Sequence, residues 1–106
     1  NAMNYTPSGG RIRLCSRTRS GPSGGWVTID VEDTGMGISV DEQTLLFRRF
    51  FRGRASRETR APGTGLGLAI CKEILDRHDG RVSVESQGKP GRGSRFTVWL
   101  RPIAAE

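Results

Sequence analysis

Two early stretches of the chain alternate between apolar and polar positions. Over Arg11 to Thr18, Ile12 and Leu14 fall on one side and arginines on the other; over Trp26 to Glu32, Val27, Ile29 and Val31 share a side. A period of two is what a half-buried strand requires, so both stretches read as strands. Ser20-Gly21-Pro22-Ser23-Gly24-Gly25 between them reads as a loose hairpin connection. Upstream, Thr6-Pro7-Ser8-Gly9-Gly10 breaks the chain into a turn, and Asn1 to Tyr5 read as the tail of a helix.

After Asp33 the alternation stops at a glycine-rich loop. Ser39 is placed to cap a short helix over Val40 to Leu46, with Asp41 and Glu42 near its positive end. Phe47-Arg48-Arg49-Phe50-Phe51-Arg52 follows. From Gly53 to Gly63 the chain is polar, basic and poor in apolar residues, which predicts a mobile loop. Leu66, Ile70 and Ile74 then recur at helical spacing, with Leu68, Cys71 and Leu75 widening the stripe and Lys72, Glu73, Asp76 and Arg77 facing water. That helix is expected to close at His78-Asp79-Gly80 on a left-handed glycine. Val82 and Val84, then Phe96, Val98 and Leu100, form two further alternating strands joined by the Gly88 to Gly93 turn. Together these elements predict an α+β two-layer sandwich, a mixed, mostly antiparallel sheet with helices on one face.

Length and charge narrow this picture. At 106 residues the chain makes one domain at most, and a domain of that size buries only about two-thirds of its unfolded surface, so a thin core is expected. The net charge of +6, from 17 basic and 11 acidic residues, would suit a nucleic-acid or membrane-surface binder. The arginines, however, are spread over strands, loops and both termini, with no zinc-finger spacing and no aromatic-rich strand, so nucleic-acid binding is not expected. Cys15 and Cys71 lie far apart without a partner motif, which predicts reduced thiols in a cytoplasmic domain. No signal peptide is apparent, and no apolar run approaches the ~20 residues that span a bilayer.

Two strings carry candidate chemistry. Asp33-Thr34-Gly35-Met36-Gly37-Ile38 follows a predicted strand, so the Asp33 carboxylate stands at a strand end while two glycines let backbone approach a flat polar ligand; a plain glycine-rich turn would read the same. Gly63-Thr64-Gly65-Leu66-Gly67-Leu68 opens into the strongest helix and points free N–H groups and the positive dipole end at an anion, most naturally phosphate. No lysine and hydroxyl close it as in a Walker loop, and no strand leads into it as in a dinucleotide fingerprint. The alternative is a helix packed tightly through glycines.

Taken in order, Asp33 to Ile38, Phe47 to Arg52 and Gly63 to Ile70 resemble the G1, F and G2 boxes of the sensor histidine kinases, with Asn1 to Tyr5 similar to the end of their N box and Val82 to Leu100 to their closing hairpin. The resemblance implies the ATP-binding (Bergerat, GHKL) sandwich shared with gyrase, Hsp90 and mismatch-repair ATPases. It places residues 1–106 in the C-terminal part of such a catalytic domain, incomplete at its N-terminus, with an ATP lid over residues 53–63. By resemblance, Asp33 accepts a hydrogen bond from the adenine amino group, Gly35 and Gly37 leave room beside base and ribose, and Tyr5 packs near the base. Gly63, Thr64, Gly65, Leu66, Gly67 and Leu68 form the phosphate-side string, and Arg49 reaches toward the γ-phosphate. Asn1 matches the ligand of Mg²⁺, although Asn1-Ala2 ahead of Met3 also fits an expression remnant imitating the motif.

The same resemblance implies a protein-histidine kinase portion acting on a histidine of a separate dimerisation domain, with a response regulator downstream. It implies a cytoplasmic domain of a membrane-anchored homodimeric parent in bacteria. Arg48 stands where an acidic residue is usual and Asn4 where many relatives carry lysine, which makes one corner less basic. His78-Asp79-Gly80-Arg81 imitates an acceptor signature, but an acceptor lies in mid-helix and Gly80 ends this one, so His78 is read as structural. Rival readings are an ATPase clamp, a serine kinase, or a nucleotide-binding module without transfer. Missing upstream elements would expose apolar surface, so dimerisation or exchange of elements is expected.

Overall fold

In a computed structural model of the chain, residues 8–21, 24–48 and 67–102 are described. Strand β1 (Ile12–Gly21) and strand β2 (Gly24–Asp33) pair antiparallel from Ile12↔Asp33 to Gly21↔Gly24. Helix α1 (Val40–Gln43), helix α2 (Gly67–Arg77), strand β3 (Arg81–Ser86) and strand β4 (Ser94–Leu100) follow. The strands form one four-stranded sheet in the order β1-β2-β4-β3, and each described pairing is antiparallel. The predicted strands are therefore present, and the first two run longer than their alternation alone indicates. Glycines carry the extra pairing, and Gly24, at φ 104°, turns the chain where a side chain would be strained.

Register assigns every strand side chain to one of two faces. Ile12, Leu14, Val27, Ile29, Val31, Val82, Val84, Phe96, Val98 and Leu100 share the inner face. Phe47 meets Phe96 edge-to-face, with centroids 6.4 Å apart, so the segment after α1 packs on that side. The described elements cover this face incompletely, since Leu14 is 71% exposed and Ile12 43%. The outer face is more tightly closed. Thr28, Asp30, Thr97 and Trp26 are all buried there, beneath longer arginine and tryptophan side chains.

Ser39 caps α1 by accepting from the Glu42 N–H, with Asp41 and Glu42 in the first turn. The helix stops at Gln43, short of the predicted Leu46, and turns carry residues 44–47. Such a short helix has no intrahelical partner for most of its end groups, and Thr44 accordingly turns its hydroxyl back to the Asp41 carbonyl. Helix α2 carries the predicted polar face, with Lys72–Asp76 at 2.8 Å and Glu73–Arg77 at 3.1 Å as i,i+4 pairs. Its apolar stripe is centred differently from the spacing-based reading. Leu75 is buried, whereas Ile70 and Ile74 are about half exposed and Cys71 is exposed.

The end of α2 also corrects an expectation. Asp79, at φ 55°, takes the left-handed position, not Gly80. Aspartate is one of the few side chains that tolerate that conformation. Gly80 is needed for a different reason: a Cβ there would lie 2.7 Å from the Trp99 carbonyl oxygen and 3.2 Å from Leu75 Cδ2. Its N–H closes the helix onto the Leu75 carbonyl at 2.7 Å. His78 sits in the terminal turn with Nδ1 2.7 Å from the Ile74 carbonyl, which is the structural place predicted for it. Gly80→Ala is expected to lower unfolding free energy by about 1–3 kcal/mol, the range for forced overpacking, while Asp79→Gly leaves it unchanged or raised; urea denaturation of both variants checks this.

Candidate functional site

Strand β2 ends at Asp33, whose side chain belongs to the inner-face parity but lies beyond the apolar run. Its Oδ1 accepts from the Gly35 N–H at 2.9 Å, an Asx-type turn that bends the chain out of the sheet. Its Oδ2 accepts from the Ser94 hydroxyl at 2.9 Å. Both donors are neutral, and each oxygen keeps capacity for a further donor. Thr34 fastens the other side of the strand end, donating its N–H to the Arg11 carbonyl at 3.1 Å and accepting from the Arg11 N–H at 2.8 Å.

The loop after Asp33 is held by the turn between β3 and β4. The buried Gly35 gives its carbonyl to the N–H groups of Gly91 and Gly93, at 2.9 and 3.1 Å. The Ser86 hydroxyl is a hub: it accepts from Ile38 N–H at 2.8 Å and Gly88 N–H at 3.1 Å, and donates to the Gly93 carbonyl at 2.7 Å. Gln43, from α1, donates its amide to the carbonyls of Ile38 and Ser86, at 2.8 and 3.1 Å. Two glycines permit the close approach. Gly37 has φ 81°, and a Cβ on it would meet Lys89 N at 3.0 Å and Ser86 Oγ at 3.1 Å. At Gly93, φ 60°, a Cβ would collide with the Asp33 carbonyl group.

Of the residues singled out from the sequence, Asp33, Gly35 and Gly37 are brought together here. Gly67 and Leu68 open α2, and no atom would crowd a Cβ on Gly67 within 4 Å. Asn1, Tyr5, Arg49, Gly63, Thr64, Gly65, Leu66 and the lid segment 53–63 lie outside the described residues. Phe47, the first ring of its string, anchors on Phe96 of β4.

Sequence reasoning missed Ser86, Ser94, Gln43 and Gly93. A signal existed for the two serines: the parity that turns Val84 and Phe96 inward also turns Ser86 and Ser94 inward, and these two are register partners. Hydroxyls at the otherwise apolar inner positions of β3 and β4 mark a place where something polar must be satisfied.

The profile of the histidine kinase-, DNA gyrase B- and HSP90-like ATPases matches residues 1–103. The chain belongs to that family. It is 43% identical over 100 residues to the sensor-like histidine kinase SenX3 of Mycobacterium tuberculosis, an alignment covering 94% of this chain and 23% of that protein. The mycobacterial sensor histidine kinase MprB has a solved structure that superposes with a TM-score of 0.75 at 32% identity, over 96% of this chain and 66% of that one. Full-length ShkA, crystallised with AMPPNP, gives 0.69 at 30% identity, over 93% of this chain and 18% of that one. The chain thus spans under a quarter of the length of SenX3. These relationships agree with the fold read from the alternation and with the family resemblance of the ordered boxes.

Ser86→Ala would strip one partner each from the Ile38 N–H, the Gly88 N–H and the Gly93 carbonyl. The expected cost is about 1–3 kcal/mol, that of leaving part-buried polar groups unsatisfied, read by urea denaturation; a loss indistinguishable from zero would show the hub to be replaceable by water.

Proposed function

We propose that this chain is the ATP-binding, catalytic portion of a two-component sensor histidine kinase. The observation that carries the reading is the Asp33 carboxylate, fixed at the end of β2 by the Gly35 N–H and the Ser94 hydroxyl with acceptor capacity left over. An exocyclic amine donates to such a group. Adenine offers one, whereas guanine has a carbonyl in the corresponding place, whose lone pairs would face those of the carboxylate. Asp33 therefore selects the base, and the Ser94 hydroxyl positions Asp33. The loop through Gly35 and Gly37 lies beside base and ribose, and Tyr5 packs near the base.

The phosphates belong at the other end, along Gly63, Thr64, Gly65, Leu66, Gly67 and Leu68, where the start of α2 supplies N–H groups and the positive dipole end. Arg49 stabilises charge on the transferring γ-phosphoryl group, and residues 53–63 form the lid over it. Magnesium would supply neutralisation of phosphate charge, and Asn1, through its amide oxygen, would be the residue to hold it, a hard donor of the kind this ion prefers. The acceptor is a histidine on a separate dimerisation domain, so this chain binds and orients ATP while the acceptor's imidazole provides the nucleophile. A response regulator is the downstream partner. The domain is cytoplasmic in a membrane-anchored, homodimeric bacterial parent; no described helix is itself long and apolar enough to cross a membrane.

Asp33→Asn is expected to weaken AMPPNP binding by at least about tenfold, the scale of a lost charge-assisted hydrogen bond, with the melting temperature close to that of the parent chain; calorimetric titration showing equal affinity would refute the Asp33 role. Joined to upstream acceptor helices, the domain should yield an autophosphorylated product that survives base and is lost in acid, as a phosphorylated imidazole is. A base-labile, acid-stable product would instead favour a serine kinase.

A further inference from the structure

The arginines that look scattered along the chain are gathered by register. Arg13, Arg17 and Arg19 of β1, Arg81 of β3 and Arg95 of β4 all share the outer face, opposite the apolar one, and Arg101 continues the parity just past β4. Both tryptophans of the protein lie on that face as well. Trp26 and Trp99 meet edge-to-face, with centroids 6.0 Å apart. Guanidinium groups stack on them: Arg101 lies 3.7 Å and Arg81 5.5 Å from the Trp26 ring centroid, and Arg19 5.3 Å from that of Trp99. Stacking on a ring limits the motion of a long side chain while leaving its N–H edges for other acceptors.

The acidic residues of the face do not neutralise this end. Glu32 and Glu85 flank Arg95 at 3.4 and 2.5 Å, at the opposite end of the strands. Glu85, by hydrogen bond and charge, also raises the Arg95 pKa. Asp30 is 1% exposed; it accepts from the Thr97 hydroxyl at 2.6 Å, and its other oxygen reaches Arg19 only at 4.0 Å. Arg13 and Arg17 have no carboxylate partner among the described residues.

We propose that this outer face, centred on Trp26 and Trp99, is a docking surface for an acidic segment of another protein, whose carboxylates pair with Arg17, Arg19 and Arg81. Charge complementarity selects the occupant. A second copy of this chain carries the same net charge of +6 and is repelled. Single-stranded nucleic acid needs open aromatic faces, but Trp26 is only 7% exposed, with Arg101 stacked on it. A membrane surface would require apolar side chains to insert, and the large rings here are covered by guanidinium groups. An acidic protein segment needs neither stacking nor insertion, only planar N–H forks for its carboxylates.

The nucleotide-site reading plays no part in this proposal, which concerns the opposite side of the sheet. The test uses intrinsic fluorescence of this chain, since both tryptophans lie in the patch. A glutamate–glycine repeat peptide is titrated at low salt, with a glutamine–glycine peptide as control. The acidic peptide should shift the emission saturably, the control should not, and raising salt from about 25 to about 200 mM should weaken binding severalfold. Arg17→Glu combined with Arg81→Glu should weaken it by about tenfold or more, while the far-UV circular dichroism spectrum and AMPPNP affinity stay those of the parent chain. No saturable shift, or a shift indifferent to the double charge reversal, overturns the proposal. So does tighter binding, at equal charge concentration, of oligo-dT or phosphatidylglycerol vesicles.

Discussion

The close approach of the β3–β4 turn to the end of β2 is the contact on which the described site depends. Gly93 makes it possible, because any side chain there would occupy the position of the Asp33 carbonyl. Once the two backbones touch, Gly35 receives N–H groups from Gly91 and Gly93, and Ser94 comes within reach of Asp33. Ser86 and Gln43 then tie Ile38 and α1 to the same hairpin. A loop of glycines has much conformational freedom to lose on folding, and these hydrogen bonds are what offset that loss. The carboxylate is therefore oriented by strands far away in sequence, not by its own loop alone.

A second constraint is the division of labour between the faces of the sheet. The inner face is apolar and incompletely covered by the described elements, while the outer face is polar and largely closed. Small side chains at Thr28, Asp30 and Thr97 allow longer ones to lie across them, with Arg19 Nε 3.4 Å from the Thr28 hydroxyl and Trp99 Nε1 3.0 Å from that of Ser83. Stems of arginine and rings of tryptophan bury much apolar area while keeping polar tips outward. In a domain this small, that layer supplements the thin core.

The strands were legible because alternation at Ile12 and Leu14, Val27 to Val31, and Phe96 to Leu100 has one structural solution. The end of β2 was legible because Asp33 interrupts that alternation with glycines. The partners of Asp33 were not. Ser94 lies 61 residues further along, and its parity in β4 turns it inward without telling which residue it will face. Lys89 and Ser86 lie close beside Gly37, and the glycine-rich string itself signals neither neighbour. The left-handed residue at the end of α2 was assigned to Gly80 on propensity, and tertiary contact with Trp99 reserved Gly80 for close packing instead. The tryptophans and arginines of the outer face escaped for a related reason: their parity is visible in each strand, but their convergence needs the order β1-β2-β4-β3.

That order also explains how a strongly basic chain keeps an acidic site available. Among the described residues no basic side chain pairs with Asp33; its partners are a backbone N–H and a serine hydroxyl. An arginine in contact would take up the acceptor sites of the carboxylate and leave a neutral amine nothing to donate to. The strand arginines are held away because each sits an odd number of residues from the inner-face positions of its strand. A slip of one residue in β1 would bring Arg11 and Arg13 onto the inner face and send Ile12 and Leu14 outward. The same period of two that buries valines thus segregates charge, and the availability of Asp33 follows from the pairing of β1 with β2.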